Sequence, residues 1–133
     1  KKTGIKFKVI HSASIFDAIA ETGLQLYKFG KITSIPEHQA DSFLDVILEN
    51  QTIGAHTLIL VDIGLEFEEA IKRLKDMNKI IVCSRLGTRY SKIYYDKIEN
   101  LADKKIDKPF CFIIPGKLHF VEEEILNSFK IKD

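Results

Sequence analysis

His56 to Ile63 reads HTLILVDI, a nearly continuous apolar run, and its reading decides the fold. A half-exposed strand would alternate apolar and polar residues; a run this uniform predicts a central strand covered on both faces. Two further runs have the same character: Lys79 to Ser84 (KIIVCS) and Phe110 to Ile114 (FCFII), the latter stopped by Pro115-Gly116. Between the first two, Phe67, Ala70, Ile71 and Leu74 recur at i, i+3, i+4 and i+7, with Lys72, Arg73 and Lys75 off the stripe. That is one apolar face of a helix. Upstream, Asp41 or Ser42 can cap a helix carrying Phe43, Leu44, Ile47 and Leu48, with Gly54 after its end.

The flanks follow the same alternation. Ile5 to Ile10 reads as a strand, and Ile15, Ala18, Ile19 and Thr22 share a helical face that Gly23 stops. Leu24 to Ile35 alternates (Leu24, Leu26, then Ile32 and Ile35), which predicts a half-buried strand closed by Pro36. Ile93 to Tyr95 reads as a short strand running into a helix through Ile98 and Leu101, and Phe120 to Phe129 as the last helix. Strands separated by helical segments imply an α/β sheet. Ligands of such sheets bind outside the carboxyl ends of strands. The ends so marked are His11 to Ser14, Leu60 to Gly64, Ser84 to Thr88 and Pro115 to His119.

Composition narrows the class. The chain has 133 residues, 45% hydrophobic and 29% charged, with seven Gly and three Pro, which excludes a disordered or collagen-like polymer. At this length a fold buries roughly two-thirds of its unfolded surface, so no disulfide or metal staple is required. Twenty Lys plus Arg against nineteen Asp plus Glu give a net charge of +1. That excludes a bulk electrostatic grip on nucleic acid or an anionic membrane and leaves room only for a local basic patch. No apolar run reaches the ~18 residues of a membrane span. Cys83 and Cys111 both sit inside apolar runs without a ligand neighbour, as buried reduced thiols do.

Motifs with chemistry of their own are few. His11, His38, His56 and His119 lie far apart without metal-ligand spacing, so no metal site is expected. Lys104, Lys105 and Lys108 are interleaved with Asp103 and Asp107, as on a solvated face. Glu122, Glu123 and Glu124 open the last helix, where they favour the positive end of its dipole.

Four strings in order carry a resemblance: VIHSASI (Val9 to Ile15), GLQLYKFGK (Gly23 to Lys31), AHTLILVDI (Ala55 to Ile63) and PGKLHFVEEEIL (Pro115 to Leu126). Together they resemble the archaeal diphthine synthases, members of the tetrapyrrole-methylase-like methyltransferases. The resemblance implies a mixed sheet flanked by helices. It covers about the second half of the family's proteins, so residues 1–23 are expected to be the last strand and helix of a first domain and 24–133 the second domain. The opening at Lys1 without Met agrees with that expectation. The implied cofactor is S-adenosylmethionine, held in a cleft between the domains. The implied substrate is the modified histidine of translation elongation factor 2, methylated in the cytoplasm by a homodimer without nucleic acid or membrane partners. Position by position, the family's cofactor contacts fall on Ser14 and Ile15, on Leu60, on Leu86 in CSRLG, and on Phe110, where the family pattern has histidine. A further departure follows Asp62-Ile63: many archaeal relatives carry an insertion there that this chain lacks. Such a cofactor needs apolar walls and main-chain donors and acceptors. Methyl transfer to an amine needs in-line positioning and at most a base, so no catalytic side chain is named. Other readings of the same residues are a catalytically silent dimerisation or docking domain, and a small-molecule methylase of the superfamily.

Overall fold

The computed structural model describes residues 19–130. The expected first strand at Ile5 to Ile10, the helical residues Ile15 and Ala18, and Ser14 lie outside the described residues.

Five strands form one sheet: β1 (Thr33–Ile35), β2 (Thr57–Val61), β3 (Lys79–Ser84), β4 (Lys92–Lys97) and β5 (Phe110–Ile114), in the spatial order β1-β2-β5-β3-β4. The three apolar runs become β2, β3 and β5, the middle of the sheet. Among the described residues four helices accompany them: α1 (Ser42–Thr52), α2 (Phe67–Lys72), α3 (Ile98–Leu101) and α4 (Phe120–Asn127). The unit β1-α1-β2 is a parallel crossover. The next crossover, through α2, leaves a gap beside β2, and β5 fills it antiparallel to both β2 and β3. A hairpin adds β4 antiparallel to β3. The sheet is therefore mixed, as the resemblance implied.

Each strand's alternation serves two layers. On one face Phe43, Ile47, Phe67, Ala70, Ile71, Leu74 and Leu101 of the α1–α3 layer pack on Ile59, Ile80, Val82 and Phe112. On the other, Ile19, Leu24 and Leu126 pack on Leu58, Ile81, Cys83 and Ile113. Cys83 and Cys111 are cross-strand partners, and hydrogen bonding to Cys111 together with burial raises the Cys83 thiol well above its ordinary pKa.

Two expectations are corrected. Leu24 to Ile35 is not one strand: it forms a single 3-10 turn at Leu26–Lys28, and only Thr33–Ile35 joins the sheet. Of the alternating residues only Leu24 and Ile35 are buried, Leu24 in the α4-side core and Ile35 in the opposite one, while Leu26 and Ile32 are exposed. The backbone of Lys31 finds a side chain in place of a strand. Its N–H donates to Asn50 Oδ1 at 3.1 Å and its carbonyl accepts from Asn50 Nδ2 at 2.9 Å. The second correction concerns the strand ends. Because β5 runs against β2 and β3, Pro115 to His119 lies at the sheet edge opposite to the carboxyl ends of those two strands.

Candidate functional site

The antiparallel insertion of β5 decides which residues meet. Leu60 is opposite Cys111 and Ser84 opposite Phe110, so the ends of β2 and β3 and the beginning of β5 share one edge. Leu60, Leu86 and Phe110 are thereby brought to that edge from positions far apart in sequence. Ser14 and Ile15 lie outside the described residues.

The three do not face the same way. Leu60 and Leu86 are half-buried and pack against the α4-side cluster. Phe110 is buried on the other face, its ring edge-on to Phe67 at 5.5 Å between centroids. With its ring turned away, Phe110 presents main chain to the edge.

Loops around this edge are laced together by backbone. Arg85 adopts a left-handed φ of 53° and Gly87 one of 81°, which turns the chain sharply out of β3. The Arg85 N–H donates to the Pro109 carbonyl at 2.8 Å, and the Ser84 hydroxyl donates to the Asp107 carbonyl at 2.8 Å. Across the β2 side, Gly64 N–H donates to Asp62 Oδ1 at 2.8 Å and Lys108 Nζ to the Ile63 carbonyl at 3.0 Å. The edge thus offers two leucine walls and ordered backbone, with no charged group among its wall residues. Among the described residues no group of three His, Cys, Asp or Glu side chains is placed to hold a metal ion.

A buried polar centre at the opposite end was missed from sequence. His56 is fully buried at the start of β2 and lies 3.0 Å from Glu122 Oε2 through Nε2. The Gly116 N–H donates to His56 Nδ1 at 2.8 Å, so the ring's proton sits on Nε2 and points at Glu122. Glu122 also accepts from Lys28 Nζ at 2.6 Å, from the His119 N–H at 2.9 Å and from the Gln25 N–H at 3.1 Å. Despite the opposing cost of its burial, these donors hold Glu122 down to about 2. Burial pushes His56 below its ordinary value and outweighs the attraction of Glu122. Every oxygen of Glu122 is occupied, which makes it a structural clasp. Gly116 completes it, since a Cβ there would run into the Gly54 and Ala55 carbonyl oxygens. Glu122 is therefore more than the dipole-facing carboxylate its helix position suggests. Its spacing from His119 was the only local signal; the partners Lys28 and His56 are distant in sequence.

A cavity of about 240 Å³ among Met77, Lys79, Tyr95, Ile114 and Leu118 lies at this same end, away from Leu60 and Leu86. It takes no part in the candidate edge.

The geometry can be set beside known proteins. No protein-family model matches the chain. Curated relatives do: a diphthine synthase of Methanococcus maripaludis is 38% identical over 149 residues, covering 95% of this chain and 58% of that protein. The diphthine synthase of Methanocaldococcus jannaschii is likewise 38% identical, with 95% and 59% covered. The chain thus spans a little under three-fifths of these relatives. Their alignments, at 149 and 151 positions, are longer than the chain's 133 residues, so the relatives carry stretches that this chain lacks. Among solved structures, a diphthine synthase superposes with a TM-score of 0.79 at 30% identity, covering 87% of this chain and 51% of the other. An Entamoeba histolytica protein provisionally given the same name reaches 0.82 at 26% identity, with 90% and 57% covered. In sequence and in fold, the chain matches the C-terminal part of the diphthine synthases.

Proposed function

We propose that the parent protein is an S-adenosylmethionine-dependent methyltransferase that methylates the modified histidine of translation elongation factor 2 in the cytoplasm. The observation that carries this reading is the 38% identity to diphthine synthase through 95% of the chain. The shared edge of Leu60, Leu86 and the Phe110 main chain supports it, because an adenosyl sulfonium asks for apolar walls and backbone partners. In this reading the edge is one side of the cofactor cleft, completed by Ser14, Ile15 and residues of the parent outside this chain. No catalytic side chain is assigned within the chain; in this reading its part is to hold the methyl donor in line with the incoming amine.

The test uses the parent protein, radiolabelled S-adenosylmethionine and elongation factor 2 bearing the modified histidine. Label on the factor is expected; none would overturn the reading. Titrated by calorimetry, residues 1–133 alone are expected to give no saturable micromolar binding, since half a cleft encloses little of the ligand. The parent is further read as a homodimer, supported by Phe120 and Val121, which stand 75% and 60% exposed on α4. Sedimentation equilibrium is expected to give twice the monomer mass, and a monomer at high micromolar concentration would remove this assignment.

A further inference from the structure

We infer that the β3–β4 hairpin loop, Arg85 to Ser91, together with Lys92 at the start of β4, docks an acidic segment of a protein partner beside the candidate edge. The inference rests on the preceding reading only in taking that partner to be the methyl acceptor.

The sequence RLGTRYSK places three cations and no carboxylate in one short stretch of a chain whose charges otherwise nearly cancel. Among the described residues Lys28, Lys31 and Lys108 form ion pairs with Glu122, Glu49 and Glu66, whereas Arg85, Arg89 and Lys92 form none. Arg85 Nε donates to the Lys108 carbonyl at 3.3 Å, and the Arg89 guanidinium donates to the Tyr90 hydroxyl at 2.9 Å. Among the described residues one carboxylate reaches the loop from elsewhere: Glu21 Oε1 accepts from the Ser91 hydroxyl at 3.3 Å and touches none of the three cations.

The loop is also built for contact. Tyr90 is 57% exposed, with the Arg89 guanidinium 5.0 Å and that of Arg85 5.9 Å from its ring centroid. Tyr and Arg are the residue types that dominate binding hot spots, and cation–π stacking holds these side chains in place. The backbone is fixed as well. Thr88 Oγ1 donates to the Arg85 carbonyl at 2.8 Å and accepts from the Tyr90 N–H at 3.1 Å, and the Ser91 N–H donates to the Thr88 carbonyl at 3.1 Å. A loop already ordered costs little further entropy on binding. Leu86 lies in the same loop, so a segment held by Arg89, Tyr90 and Lys92 is delivered next to the leucine walls.

The number of cations selects the partner class. A protein that makes about 6–10 phosphate contacts binds nucleic acid with a steep salt dependence, and three cations fall short of that number. Three cations grouped around one tyrosine suit a short acidic peptide stretch instead.

Fluorescence anisotropy of a labelled oligoglutamate peptide tests this on the whole chain, with Arg89→Glu/Lys92→Glu as variant and a single-stranded oligonucleotide in parallel. The chain should bind the peptide, lose affinity as salt is raised, and lose about tenfold in the variant. Unchanged peptide affinity in a variant that melts like the parent chain overturns the inference. An oligonucleotide bound more tightly than the peptide overturns it in favour of nucleic acid. With the parent enzyme, the milder Arg89→Ala/Lys92→Ala is expected to raise KM for elongation factor 2 while leaving kcat and S-adenosylmethionine affinity unchanged. Lost cofactor affinity would instead make the loop part of the cofactor site and overturn docking. If the wild-type enzyme transfers no methyl group, the proposed function fails while the peptide measurement still decides this inference.

Discussion

Glu122→Ala is expected to destabilise the fold by about 3–5 kcal/mol, because it strips a half-buried cation and a buried ring N–H of their partner. Lys28 and Glu122 form a pair whose side chains are 15% and 2% exposed, and His56 beside them is fully buried. Two main-chain donors, at Gln25 and His119, would be orphaned in the same step. Urea denaturation of wild type and mutant measures the loss; a change under 1 kcal/mol would reduce the clasp to an incidental contact (about the worth of an exposed pair).

The same centre sets an acid limit. Glu122 titrates near 2 in the fold against 4.5 in the unfolded chain, so its contribution is complete above pH 4.5 and is lost as pH falls towards 2. The amount is about 3 kcal/mol. His56 adds to the loss with the same sign. Its pKa is lowered in the fold, so the unfolded chain takes up a proton near pH 6.5 while the folded ring does not. Stability should therefore begin to decline below pH 6.5 and steepen below 4.5. Glu122→Gln, which keeps the shape without the charge, is expected to abolish the steep lower part and spare the upper one. A mutant with an unaltered pH profile would assign the acid sensitivity to other carboxylates.

Leu86→Arg in the parent enzyme is expected to abolish methyl transfer while leaving the fold standing. Leu86 is half-buried at the mouth of the hairpin loop, against the α4-side cluster rather than inside it. An arginine there puts bulk and charge against the proposed cofactor wall, at a cost of several kcal/mol in binding where the charge cannot reach water. If Leu86 served packing alone, activity would vanish only together with the fold. Thermal melting compared with S-adenosylmethionine affinity separates the two. A mutant that melts normally and binds the cofactor as tightly as wild type removes Leu86 from the site. It also weakens Leu60, which was placed by the same strand-end argument.

Strand and helix identities in the second half of the chain were legible because burial on two faces leaves a local mark. KIIVCS, FCFII and HTLILVDI are uniform since each strand is covered by helices on both sides. The stripe of Phe67, Ala70, Ile71 and Leu74 was equally plain, and all four side chains are buried. Leu24 to Ile35 misled because its apolar alternation does not become alternating burial: Leu26 and Ile32 are exposed. Leu24 and Ile35 reach opposite cores from a chain that bends between them, and the amide of Asn50 stands in for a neighbouring strand at Lys31.

The candidate edge divides in the same manner. The sequence by itself determined that apolar strands end within Leu60 to Gly64 and at Ser84, just before Leu86, because hydrophobic runs and their stops are local properties of the chain. Strand direction is not local. Only the tertiary structure decided that β5 runs antiparallel between β2 and β3, which brings Phe110 to the edge of Leu60 and Leu86 and carries Pro115 to His119 to the other. The clasp of Lys28, His56, Gly116 and Glu122 was likewise settled only by folding. Its members are scattered along the chain, and a carboxylate in a first helical turn has the same sequence signature whether it faces water or a buried histidine.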